Sequence, residues 1–305
     1  MRRRTLLIAP ALVSTLSGLA LGAKKLNVVA TFSVLGDMVR QIAGDRVALT
    51  VIVGPDGDSE SYEPTAADAH ALAEADLLLM NGLNKEFEPW LDGLLAQSSF
   101  HGTRLVASSG VRVLRLAEEK DKPVGGSEGE LDQHAWQDAA NGAVYARNIQ
   151  AALIKLDPSN AQEYQTRGDA YRKQILGLDA WVKQQMASVP PEKRKVITSH
   201  DAFAYFGRAY DVRLIGARGL TTEKEPSAQQ VGALIEQIKQ ERVRALFIEN
   251  MSDPRLIERI AQETGARVGG ELFSDALSKP GEGGDTYVAM FRHNAEALRA
   301  GMMQN

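Results

Sequence analysis

Two histidines and two carboxylates, three of them just past a predicted strand and His134 after an acidic loop, are the residues whose types could do chemistry together. His200 lies in Val196-Ile197-Thr198-Ser199-His200-Asp201-Ala202-Phe203-Ala204-Tyr205-Phe206, where a short apolar strand gives way to aromatics at helical spacing. In an open α/β sheet the carboxyl ends of strands are where ligands bind. One histidine there is weak evidence, because most such side chains only bond a neighbouring loop. The placement recurs, however, at Glu60 in Asp58-Ser59-Glu60-Ser61-Tyr62-Glu63-Pro64 and at Asp275 in Leu272-Phe273-Ser274-Asp275-Ala276-Leu277-Ser278, and His134 in Asp132-Gln133-His134-Ala135-Trp136 follows the acidic loop. Imidazole and carboxylate together suit zinc, manganese or ferrous iron rather than calcium or Cu(I). Plainer readings stand beside this one: Glu60 as a solvated loop acid, His134 as a structural histidine against Trp136. Asp58 is placed to substitute for Glu60. Glu249-Asn250 reads either as a support for a ligand imidazole or as a cap before Pro254. Asp201 is a candidate to tune His200. His70, His101 and His293 receive no role, and Trp90 and Trp181 read as packing residues.

The elements that must position these groups alternate. Strands are predicted at 26–32, 47–53, 76–80 and 104–107, with helices over 34–42, 66–75 and 87–95. Such alternation implies parallel strands covered by helices. Residues 117–133 break the pattern with an acidic, Gly-rich loop. Asp157-Pro158 then opens a long helix in which Tyr164, Tyr171, Ile175, Leu178, Val182 and Met186 share a face. No breaker appears before Pro190-Pro191, and roughly 28 residues would span about 40 Å. A second lobe repeats the alternation, with strands at 196–197, 212–215, 245–248 and 268–273, and helices over 202–208, 227–241, 255–264 and 287–302. The expected fold is α/β: two lobes, each with a roughly four-stranded parallel sheet flanked by helices, joined by one long rigid helix. The expected domains are a signal peptide at 1–23, an N-terminal lobe at 24–156, the linking helix at 157–189 and a C-terminal lobe at 190–305.

The chain has 305 residues, enough for two cores. Its start, Met1-Arg2-Arg3-Arg4-Thr5-Leu6-Leu7-Ile8 followed by an apolar run to Ala23, reads as a cleavable export signal, by a Sec or twin-arginine route. The whole chain has 39 acidic and 35 basic residues, and three of the bases lie in that signal. The remainder carries a formal charge of −7, which argues against a nucleic-acid partner. Cysteine is absent, which excludes disulfides, thiolate metal sites and attachment through an N-terminal lipidated cysteine. A periplasmic, unlipidated protein is the expectation.

Over nearly its whole length after the signal, the chain resembles the cluster A-I (cluster 9) metal-binding solute-binding proteins of ABC transporters. The matching segments are Tyr62-Glu63-Pro64, Asp132-Gln133-His134-Ala135-Trp136, Thr198-Ser199-His200-Asp201-Ala202-Phe203, Ser274-Asp275-Ala276-Leu277, and Gly283-Gly284-Asp285-Thr286-Tyr287 with Asn294 downstream. The resemblance implies one divalent Mn2+, Zn2+ or Fe2+ ion held by Glu60, His134, His200 and Asp275 between the lobes. It also implies delivery, by a monomer, to an ABC permease in the inner membrane. One departure bears on the metal: where the family usually has His two residues before the Tyr, this chain has Glu60. Two imidazoles and two carboxylates match the manganese- and iron-carrier composition, though those proteins usually place Glu where His200 stands. The acidic loop also lacks the histidines common in zinc carriers. Zinc still outcompetes manganese at most sites, so both metals stay open. The alternative is a hydrolase using the same ion, with Glu60 or Glu249 as base. The chain has no His-Glu-x-x-His helix and no nucleophile motif, so a non-enzymatic protein is expected.

Overall fold

In a computed structural model, residues 25–115, 131–217, 222 and 226–305 are described. The expected signal peptide and residues 117–130 of the acidic loop lie outside them. Each predicted strand is present. The apolar runs β1 (Leu26–Phe32), β2 (Val47–Val53), β3 (Leu77–Met80) and β4 (Thr103–Val106) form one parallel sheet in the order β2-β1-β3-β4. Helices α1 (Ser33–Ala43), α2 (Ala66–Ala73) and α3 (Leu91–Ser98) connect them. The central strands β1 and β3 are covered on both faces, as near-continuous apolar parallel strands require, while the edge strands β2 and β4 keep exposed residues.

A helix not anticipated from the sequence, α4 (Ala139–Leu156), follows. Its buried face includes Asn141, Gly142 and Gln150 among Tyr145, Ala146, Ile149 and Leu153, so the apolar period is interrupted by polar and small residues. The long helix is present as α5 (Ala161–Ala187), entered through a short 3-10 turn over Pro158–Asn160. Asp157 accepts bonds from Asn160 Nδ2 (2.7 Å) and Tyr164 Oη (2.7 Å), and so fixes the entry by side-chain contacts. Gly168 lets α5 approach α4 closely: a Cβ there would lie 2.6 Å from the Gln150 side chain.

The second lobe contains β5 (Lys195–Thr198), α6 (Ala204–Tyr210), β6 (Arg213–Gly216), α7 (Ala228–Glu241), β7 (Ala245–Glu249), α8 (Arg255–Thr264) and β8 (Arg267–Leu272). Its parallel sheet runs β6-β5-β7-β8, repeating the order of the first. The last helix, α9 (Tyr287–Met302), returns to pack on α5 and α1, and Tyr287 N donates to Asp37 Oδ2 at 2.8 Å across the lobes. In each sheet the chain reverses its winding between the first and third strands, so the switch points lie at the carboxyl ends of β1/β3 and β5/β7. Those ends face one another.

The α5 stripe separates core from surface within one turn. Ile175 is fully buried, whereas its neighbour Leu176 is 49% exposed. Ile175→Ala is expected to destabilise by about 2–5 kcal/mol, and Leu176→Ala by less than about 0.5 kcal/mol. Urea midpoints at unchanged slope would check this. Equal losses at the two positions would contradict the assigned face.

Candidate metal centre

His200 sits two residues beyond β5, and the chain does not become helical until Ala204, so residues 199–203 form a loop on the strand end. Gly216 on the neighbouring strand makes this possible: a Cβ there would lie 2.6 Å from His200 C and Asp201 N. Glu249, the last residue of β7, accepts from His200 N at 2.9 Å and places Oε2 2.7 Å from His200 Nδ1. Of the two roles open to Glu249, it holds the imidazole. Asp132 does the same for His134, with Oδ1 2.8 Å from both the backbone N and Nδ1. A carboxylate at Nδ1 selects the tautomer whose Nε2 is free to bind a metal. Both Nε2 atoms point into the cleft without a hydrogen-bond partner.

Asp275 lies past β8 and meets both rings: Oδ2 is 3.2 Å from His200 Nε2 and Oδ1 is 3.6 Å from His134 Nε2. Its loop is held from the first lobe, where Trp136 Nε1 and Gln137 Nε2 both donate to Ser274 O, at 2.9 and 2.7 Å. Asn294 brackets Phe273 through its backbone N (2.9 Å) and O (2.7 Å). Glu60 completes the group from the loop after β2. Its Oε1 accepts from Gln133 Nε2 and its Oε2 from Thr222 N in the second lobe; Thr222 Oγ1 lies 2.9 Å from Oε2, with its one proton on the shorter bond to Asp58. One ligand atom from each of Glu60, His134, His200 and Asp275 lies within 4.8 Å of the others, and none of the four residues is more than 1% exposed.

Asp58 lies outside the four-residue cluster. Its oxygens accept from Glu60 N (2.9 Å), Ser61 Oγ (2.8 Å) and Thr222 Oγ1 (2.7 Å), so it shapes the turn. Trp90 does more than pack: its indole donates to Ser59 O at 2.8 Å and anchors the Glu60 loop. The predicted helix at 87–95 starts only at Leu91, because Pro89 disfavours helical backbone at Glu88. This leaves Phe87 edge-on to Phe32 (4.9 Å) and 6.4 Å from the His134 ring, walling the site. The carboxylate placed against His200 Nδ1, at 2.7 Å, is that of Glu249. His293 lies outside the cluster, with Nε2 2.9 Å from Glu271 O. The roles of Asp132, Gln133, Thr222 and Trp90 escaped sequence reasoning. Only Asp132 and Gln133 had a signal, their adjacency to His134.

The charges are strongly coupled. Burial disfavours the His200 cation, but Glu249 and Asp275 outweigh it and lift the imidazole well above its ordinary range. His134 is raised likewise, burial being overcome by Asp275 and Asp132. Burial, reinforced by Asp275 and opposed by the two histidines, pushes Glu60 up to about 7. Burial would raise Glu249 too, but His200 holds it below its ordinary value. The pocket is therefore a place where protons and a cation compete for the same atoms.

Two imidazole nitrogens and two carboxylates converging from both lobes are one half of the evidence on family; the other is similarity over the full chain. The zinc-uptake complex component A, periplasmic (ZnuA) family matches residues 28–301. The chain belongs to this family. Among similar proteins is the metal ABC transporter substrate-binding lipoprotein SloC of Streptococcus mutans, 34% identical over 285 residues, which cover 92% of this chain and 91% of that protein. The manganese ABC transporter substrate-binding lipoprotein PsaA of Streptococcus anginosus is 33% identical over 298 residues, 96% of this chain and 94% of that one. The structure of the periplasmic zinc binding protein TroA from Treponema pallidum aligns with a TM-score of 0.82 at 32% identity, over 92% of this chain and 99% of its own.

These relatives correct one expectation. SloC and PsaA are named lipoproteins, so the unlipidated location read from the sequence does not stand. That reading rested on the absence of cysteine from the 305 residues, which addresses only thioether attachment within them. A place on the outer, periplasmic side of the membrane is consistent with the relatives.

A pH dependence follows from the geometry. His200 and Glu60 bind protons more tightly in the folded chain than in the unfolded one. Their contribution to stability is full below the unfolded values and is lost as pH rises through the folded ones. The metal-free protein should therefore lose thermal stability as pH rises from 4.5, the ordinary Glu value, through about 7. A saturating divalent ion replaces the protons and reverses the slope. Melting curves at stepped pH, with and without metal, would show this, and Glu60→Gln should flatten the metal-free slope. A metal-free protein that gains stability over this interval would contradict the account.

Proposed function

We propose that this chain captures one divalent transition-metal ion through Glu60, His134, His200 and Asp275, and that it hands the ion to an ABC importer. The observation that carries the reading is the set of buried atoms lacking hydrogen-bond partners: both histidine Nε2 atoms and both Asp275 oxygens. Such convergence of unsatisfied donors and acceptors calls for a cation or for protons. The names of the relatives point the same way, one stating manganese and another zinc.

The site holds metal and does not turn over substrate. A catalytic centre keeps an open coordination position with access for substrate. Here the four side chains are sealed, with the lobes joined at the rim by Asp56 N to Leu277 O (2.9 Å), Asn250 Nδ2 to Asp56 Oδ1 (2.8 Å) and Lys279 Nζ to Asp56 Oδ2 (3.1 Å). The functional division is that of two lobes, 24–156 and 190–305, set apart by the strut at 157–189. The protein acts as a monomer, and its partner is an inner-membrane ABC permease.

Metal-free protein titrated with Mn2+, Fe2+ and Zn2+ in competition should take up one tight equivalent. His200→Ala and Asp275→Ala should each weaken binding by about 100-fold or more, beyond the range seen when only supporting groups are removed. Glu60→Ala should weaken Mn2+ more than Zn2+, since manganese favours oxygen donors. Elemental analysis after dialysis reads the outcome. Wild type that retains no ion would sink the proposal.

A further inference from the structure

Glu60 is pinned at both oxygens, and the pin from its own lobe is an amide. A carboxylate has about four lone-pair sites. On Glu60, Oε2 accepts from Thr222 N, and Oε1 accepts from Gln133 Nε2. A carboxylate held in this way cannot swing round to present both oxygens to an ion in the cleft. Asp275 differs, because neither of its oxygens has a hydrogen-bond partner.

Gln133 is built to hold this position. It is fully buried and directly precedes His134. Its carbonyl accepts from Asn81 Nδ2 at 2.9 Å, and Asn81 Oδ1 in turn accepts from Tyr145 Oη at 2.6 Å, so the backbone that aims the side chain is itself tied down. The other end of the amide, Oε1, is buried without a partner. A half-satisfied buried amide is destabilising, and a methionine or leucine would fill the space without that cost. Packing alone does not account for it.

We infer that Gln133 is a positioning residue that sets metal preference by restricting Glu60 to a single ligand oxygen. This deepens the metal-capture reading and rests on it. With Glu60 so restricted, the donors are two imidazole nitrogens, one Glu60 oxygen and one or both Asp275 oxygens. That set serves the low coordination numbers of zinc. Without the amide, Glu60 turns about the single bond from Thr222 N, which leaves Oε2 a free lone pair, and offers both oxygens; the larger oxygen-rich set favours manganese.

The test is a double-mutant comparison on the full chain with Mn2+ and Zn2+ alone as probes. Gln133→Met removes the donor at nearly constant volume. Gln133→Asn keeps an amide but draws it back by one methylene, and serves if the first variant does not fold. In either, the Mn2+:Zn2+ affinity ratio should rise by about tenfold or more, within the range seen when residues supporting a ligand are removed. The electron paramagnetic resonance spectrum of bound Mn2+ should change with it. In a Glu60→Ala background the same substitutions should leave the ratio unmoved. Wild type that holds one tight ion while the ratio stays constant in both variants overturns this inference alone. An equal shift in both backgrounds also overturns it, since Gln133 would then act through His134 or through packing. Wild type with no tight ion overturns the capture reading, and this inference with it.

Discussion

Two carboxylates and two imidazoles cannot share a dry volume a few ångströms across unless positive charge sits among them. Transfer of one ionised group from water to such a place is already costly, and like charges at contact add to it. Here four ligand atoms lie within 4.8 Å of one another, backed by the further carboxylates of Asp132 and Glu249. Protons are the charge available to the folded chain by itself, which is why the imidazoles and Glu60 hold them more tightly than usual. A divalent cation meets the same demand with its charge concentrated at one point. The rest of the molecule can be understood as what is needed to keep that demand unmet by anything else.

Keeping the ligands together requires that no single element carry them all. Glu60 and His134 come from the loops after β2 and β4, and His200 and Asp275 from those after β5 and β8. Each loop therefore moves with its own sheet, and the distance between sheets becomes the size of the site. Helix α5 sets that distance. It packs against α1 and α4 on one side and α6 and α9 on the other, so both lobes are registered to one rigid rod. The crossing contacts reach backbone and side chain alike: Trp136 and Gln137 on Ser274 O, Tyr205 Oη on Asp132 O, Asn250 Nδ2 on Asp56 Oδ1, and Thr222 N on Glu60 Oε2. They fix the loops that bear the proposed ligands, and the bond to Glu60 holds a ligand atom directly.

The strands, the long helix and the four converging residues were legible in the sequence for a physical reason. Parallel strands buried on both faces leave uninterrupted apolar runs, and ligands at strand ends occupy a place the topology favours. Helix α4 was hidden because its inward face spends positions on Asn141, Gly142 and Gln150, which periodicity counts as polar or breaking. The partners of the ligands were hidden for a different reason. Asp132 is two residues from His134, but Glu249 is 49 from His200, and Thr222 is 162 from Glu60. Only the folded chain brings such pairs together. Glu60 and Asp58 are likewise acids in one turn, and only the hydrogen bonds of the folded loop show how differently the two are placed.

Ligand identity alone does not choose the metal. Affinities of nitrogen and oxygen donors rise from manganese to zinc almost regardless of arrangement, so discrimination against zinc must come from coordination number and rigidity. Relatives near one-third identity carry manganese in one name and zinc in another, which is what a fold indifferent to the ion would produce. The part of the site free to differ is the layer that orients the ligands. Asp132 and Glu249 fix the two imidazoles through backbone N and ring together, leaving them no alternative pose. Asp275 is unconstrained at both oxygens. Glu60 alone is held by groups from both lobes, one oxygen by Gln133 and the other by Thr222. It is thus the one ligand whose denticity depends both on a side chain and on how closely the lobes approach. On the proposed four-ligand site, that makes Glu60 the place where the protein can tune metal choice.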